Sequence, residues 1–120
     1  MGGSTSSYRE VEDTSLIILW GSNARETHPI FFHHVLKAIR KGAKVIVVDP
    51  RRTSSAEWAD LWVGLDVGSD IALANGVARE ILANGWQHEK FLANATSGLQ
   101  AFRAHVESAT LEATERRTGV

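Results

Sequence analysis

The 120 residues allow one domain with a real core, and 43% apolar with 22% charged residues is the composition of a globular chain. A formal net charge of -1 lacks the basic excess of a general nucleic-acid binder, and the absence of cysteine excludes disulfides, thiolate catalysis and iron–sulfur ligation within this chain. No apolar run approaches the ~20 residues of a membrane span, and "MGGSTSSYRE" lacks the regions of a secretion signal, so the expectation is a cytoplasmic chain with no nucleic-acid partner and no membrane span.

Residues 1–7 are small and polar and read as a flexible lead-in. A short helix is expected over Tyr8 to Thr14. Leu16 to Trp20, "LIILW", is an uninterrupted apolar run, as in a strand covered on both faces. Pro29 to Lys41 reads as a helix: Pro suits the first helical position, and Phe31, Val35, Ala38 and Ile39 form an apolar stripe. Lys37, Arg40 and Lys41 favour its negative end, and Gly42 stops it. Lys44 to Val48, "KVIVV", is a second buried strand rich in β-branched residues. A helical turn over Ala56 to Asp60 and a short strand over Leu61 to Leu65 follow. Ser69 and Asp70 launch a helix to about Asn84, with Ile71, Ala74, Val77, Ala78 and Ile81 as its apolar face and Ser69 as its cap. From His88 to Arg117 two or three short helices are expected. Trp20, Trp58, Trp62 and Trp86 read as core or interface aromatics.

Apolar strands alternating with amphipathic helices predict an α/β fold: a three-layer, Rossmann-like domain with a short parallel sheet flanked by helices. Ligands in such folds bind beyond the carboxyl ends of the strands. Three loops lie there. In "GSNARETHP", Gly21 lets the backbone approach a ligand and the following helix start offers N–H groups to a pyrophosphate. Asn23 and Thr27 add side-chain donors and acceptors. In "VVDPRR", Asp49 can accept from ribose hydroxyls, Pro50 fixes the turn, and Arg51 or Arg52 can stack on a base or pair with a phosphate. In "DVGSD", Asp70 can accept from the paired donors of a guanine. Each loop taken singly is also an ordinary structural turn. His33 and His34 are adjacent on a helix, so their rings diverge and suit no common metal, and Ser54 and Ser55 fit no nucleophile elbow. No catalytic and no metal-binding residue is expected.

Taken together, "TSLIILWGSNARETHP", "GAKVIVVDPRRTSSAEWADLWVGLDVGSDIALANGVA" and the tail ending "ERRTGV" resemble the molybdopterin-guanine-dinucleotide oxidoreductases. The likeness is greatest to the catalytic (alpha) subunit of formate dehydrogenases. It implies that residues 1–120 form one α/β segment holding part of a molybdopterin guanine dinucleotide, an incomplete piece of a larger domain. Gly21, Ser22, Asn23, Glu26 and Thr27 would then line the pyrophosphate and ribose region. Asp49, Pro50 and Arg51 would contact the guanosine, and Gly68 and Asp70 would complete the guanine pocket.

The resemblance has departures. Enzymes of that family are several times longer, with a cysteine-ligated iron–sulfur cluster, a Cys or selenocysteine on molybdenum or tungsten, and a His-Arg pair for formate. This chain has none of them. It therefore resembles a segment whose partners are the remainder of a catalytic subunit and its electron-transfer proteins, inactive toward formate alone and prone to self-association. The alternatives are a stand-alone guanine-nucleotide-binding module, and a structural or interaction module without redox activity.

Overall fold

β-Branched and aliphatic runs form β1, Leu16–Trp20, and β2, Lys44–Val48, where the pattern places them, while β3, Leu61–Val63, ends two residues before the expected Leu65. The structure is a computed structural model describing residues 6–120, so most of the expected lead-in lies outside the described residues. The chain divides into two compact units, Met1–Gly64 and Leu65–Val120.

In the first unit the sheet order is β1-β2-β3, all parallel. Leu16 pairs with Lys44 and Trp20 with Val48, while Ile46 pairs with Leu61. A helical turn, α1 (Ala24–Thr27), follows β1 and leads into α2 (Pro29–Arg40). Gly42 ends the crossover at φ +101, a left-handed geometry that glycine adopts without strain. A 3-10 helix over Tyr8–Asp13 packs on α2, and another spans Ala56–Trp58. Phe32, Val35 and Ala38 of α2 bury against Ile17, Leu19, Val45 and Val47 of the sheet. The expected stripe is thus rotated slightly: Phe32 is its centre, and Phe31 and Ile39 are half-buried flanks.

The double coverage expected of β1 is not met. Ile17 and Leu19 are buried, but Leu16, Ile18 and Trp20 are exposed, Ile18 by 53%. Side chains alternate across a strand. Only the face toward α2 is covered at this edge, and Leu61 of β3 is likewise exposed. None of the four tryptophans is buried, which corrects the core reading.

Acidic residues of the first 3-10 helix tie it to α2. Glu12 Oε1 lies 2.6 Å from His34 Nδ1 and accepts from Lys37 Nζ at 3.0 Å. The Lys37 hydrogen bond, then the one to His34, holds the Glu12 carboxyl below its ordinary range.

The second unit is helical: α3 (Asp70–Ala83), α4 (Glu89–Ala95), α5 (Leu99–Val106) and α6 (Leu111–Thr118). Thr110 caps α6 by accepting from the Ala113 N–H, and His88 caps α4 by accepting from that of Phe91. The face expected for α3 is corrected. Ile71, Val77 and Ile81 are exposed, while Leu73 and Gly76 are buried. The reason is a close approach of α6: a Cβ on Gly76 would clash with the Thr114 side chain. Among the described residues, no helix is long and apolar enough to cross a membrane.

Candidate nucleotide-binding loops

The parallel register brings the loops after β1 and β2 to the same end of the sheet. Trp20 sits opposite Val48, so Gly21 and Asp49 leave adjacent strands side by side, and the Gly21 N–H donates to the Val48 carbonyl at 2.8 Å. Gly21 has φ +58, and the space where a Cβ would stand is open to 4 Å. The backbone is therefore approachable at this point. Ser22 follows, half-buried.

Sequence reading treats Gly21 to His28 as a loop, but α1 occupies part of it. A four-residue helix has no stability of its own, and its bonds to the loop after β2 explain it. The buried Ser55 Oγ accepts from the Arg25 N–H at 3.0 Å and donates to Asn23 Oδ1 at 3.0 Å. Ser54 Oγ lies 2.7 Å from Glu26 Oε1 and 3.2 Å from Asn23 Oδ1. Arg25 Nη1 donates to the Ser54 carbonyl and pairs with Glu57 at 2.9 Å, its guanidinium lying over the Trp58 ring. The Ser54 hydrogen bond, with a smaller one from Asn23, lowers the Glu26 pKa.

This changes the accounting of the expected anion cradle. The N–H groups of Glu26 and Thr27 donate to the Asn23 carbonyl, and that of Arg25 goes to Ser55. The helix start with N–H groups to offer is that of α2, one turn later: Pro29 stands at its first position and His28 supplies no side-chain cap. Thr27 Oγ1 donates to the Asn23 carbonyl at 3.1 Å and lies 2.8 Å from His28 Nδ1.

Asp49 is buried, and its Oδ1 accepts the Arg51 N–H at 2.8 Å, closing the turn around Pro50. Its backbone carbonyl accepts from Trp62 Nε1 at 2.9 Å. Pro50, Arg51 and Arg52 are exposed, with the Arg52 guanidinium 5.8 Å from the Trp62 ring centre. The eight expected site residues from Gly21 to Arg51 thus flank one end of the first unit's sheet.

Gly68 and Asp70 belong to the second unit, in the turn that opens α3. Gly68 has φ +83 with open space at its Cβ position, and Asp70 is exposed in the first helical turn. Ser69 does not cap the helix with its side chain. Its buried Oγ donates instead to the Asp66 carbonyl at 2.6 Å.

Ser54, Ser55 and Arg25 link the two candidate loops, a connection that sequence reasoning missed. Its one visible signal is a polar run directly after the Asp-Pro turn. Among the described residues no cluster of three metal-ligating side chains occurs, and the His33 and His34 rings stand 82° apart.

The molybdopterin oxidoreductase family model matches residues 2–114. Formate dehydrogenase H of Escherichia coli (strain K12) is 38% identical over 119 residues, covering 99% of this chain and 17% of that enzyme. The assimilatory nitrate reductase catalytic subunit of Bacillus subtilis (strain 168) is 33% identical over 118 residues, again covering 17% of the relative. Acetylene hydratase from Pelobacter acetylenicus superposes with a TM-score of 0.78 at 25% identity, over 93% of this chain and 17% of that one. The chain spans about a sixth of these enzymes, 17% of each, and with its parallel sheet and open glycine turn it belongs to the molybdopterin oxidoreductase family.

Proposed function

We propose that the chain holds the guanosine and pyrophosphate of a molybdopterin guanine dinucleotide, as a segment of a formate dehydrogenase-type catalytic subunit. The observation that carries this reading is the pairing of Gly21 with Val48. It sets an approachable backbone beside an acidic strand end, the arrangement that suits a pyrophosphate next to a ribose.

The residues present fit such a group. Gly21 in the first unit leaves room for close backbone approach, and Gly68 does so within the second. Asp49 uses one oxygen for its own turn, and a carboxylate has further acceptor capacity for ribose hydroxyls. Arg51 is exposed for phosphate or base. The Glu26 carboxylate accepts from Ser54 of the second loop, which lowers its pKa. When bound, the cofactor with its molybdenum or tungsten supplies the redox chemistry. This chain contributes binding and orientation, and formate oxidation belongs to the longer enzyme with its iron–sulfur parts.

Titrating the chain with GDP and ADP tests the reading. Preference for GDP, weakened about tenfold or more in Asp70→Ala and in Asp49→Asn, is the expected result. Equal affinities for the two nucleotides, insensitive to both substitutions, would overturn it.

The partners in this reading are the remainder of the catalytic subunit and its electron-transfer proteins, in the cytoplasm. The exposed Leu16, Ile18, Trp20 and Leu61 support it, because parallel sheets are buried on both faces. The same surface favours self-association of the isolated chain, which sedimentation velocity measures: a single sharp monomer at high concentration counts against it.

A further inference from the structure

Resting on the nucleotide-binding reading, we infer that Ser54 and Ser55 are positioning residues that bolt the loop after β1 to the loop after β2 and so set the width of the nucleotide crevice. Each hydroxyl has one proton, which decides the wiring. Ser55 donates to Asn23 Oδ1 and receives the Arg25 N–H. Ser54 has two acceptors in reach, and the shorter contact, to the Glu26 carboxylate, is the charge-assisted one. The two serines thereby engage three of the four residues from Asn23 to Glu26, at sequence separations of about thirty.

The burial supports this role. Ser55 is fully buried, and a buried hydroxyl with donor and acceptor both satisfied fixes its partners in one geometry. Arg25 reinforces the bolt through the Ser54 carbonyl and Glu57. Asn23 and Glu26 then act by holding Gly21 and Ser22 in place rather than by touching the ligand. Their side chains are occupied in the direction of the second loop. The nucleotide contact of the first loop falls to the Gly21–Ser22 backbone.

The test uses the 120-residue chain with Ser54→Ala, Ser54→Thr and Ser55→Ala. Three quantities are read: the titration midpoint of the Glu26 carboxyl by carbon NMR, hydrogen exchange of the Arg25 amide, and GDP affinity. Ser54→Ala should raise the Glu26 midpoint toward the ordinary glutamate value and weaken GDP three- to tenfold, with the thermal unfolding curve little changed. Ser54→Thr, which keeps the hydroxyl, should restore both. Ser55→Ala should speed exchange at Arg25 at least tenfold. An unmoved Glu26 midpoint in Ser54→Ala, unchanged Arg25 exchange in Ser55→Ala, or full GDP affinity in Ser54→Ala despite a moved midpoint would each overturn the inference. Absence of GDP binding by the unmodified chain would overturn the crevice role together with the nucleotide reading. The midpoint and exchange measurements would then still decide whether the two loops are bolted.

Discussion

The two units solve the problem of stability differently. The first buries large aliphatic and aromatic side chains between a sheet and a helix: Ile17, Leu19, Phe32, Val35, Val45 and Val47. The second buries few apolar side chains, with Leu65, Leu73 and Val106 the buried aliphatics, and brings α3 and α6 together through small and polar residues, Gly76 against Thr114. Ile71, Trp86, Phe91 and Leu111 remain more than half exposed there. The first unit is held by volume and the second by close fit, so they should fail under different substitutions.

The sharpest way to break that comparison is Phe32→Ala. Removing a buried aromatic ring costs about 3–5 kcal/mol, read as a lowered midpoint in urea, whereas Phe91→Ala in α4 should shift it by less than about 0.5 kcal/mol. Equal effects would mean that the second unit's core is larger than its burial indicates. Next in size is Gly76→Ala, which trades the close α3–α6 approach for a clash and should destabilise by about 1–3 kcal/mol. Thr114→Ala in the same chain should recover part of the loss, and additive losses in a double-mutant cycle would deny the contact.

A smaller effect separates the units by pH. The Glu12 carboxyl titrates below its ordinary 4.5 because Lys37 and His34 hydrogen-bond it. A group depressed in the folded state adds stability above its unfolded pKa and loses it as the pH falls through the folded value. Stability of the first unit should therefore drop on acidification below about pH 4.5, and Glu12→Gln should flatten that slope. An identical slope in the variant would show the pair to be inert. The smallest expected effect is Arg52→Ala, at most about 1 kcal/mol for loss of an exposed cation–π contact with Trp62.

The sheet and α2 were legible because their signals are local: β-branched runs for β1 and β2, Pro29 at one helix end and Gly42 at the other. What escaped was set by partners distant in sequence. Nothing within Ala24–Thr27 announces a helix, since Ser54 and Ser55 hold it. The buried face of α3 was misread because apolar residues lie around much of the helix, and the choice falls to Gly76, where α6 approaches. Ser69 looked like a cap because serine before an acidic residue usually is one; its proton goes to Asp66 instead. The positions of Gly21, Asp49 and Arg51 just beyond the ends of β1 and β2 were legible from the strand pattern. The occupation of Asn23 and Glu26 by serines some thirty residues away was not.

The pairing of Trp20 with Val48 has a consequence for how the chain comes together. Asn23 and Ser55 are 32 positions apart. Once the strands have zipped, only three residues on one arm and seven on the other remain to be closed. With closure entropy growing as the logarithm of length, this shortcut spares about 1 kcal/mol. The docking of the two loops is thus a late, inexpensive event in folding, and it follows wherever the strand register is correct.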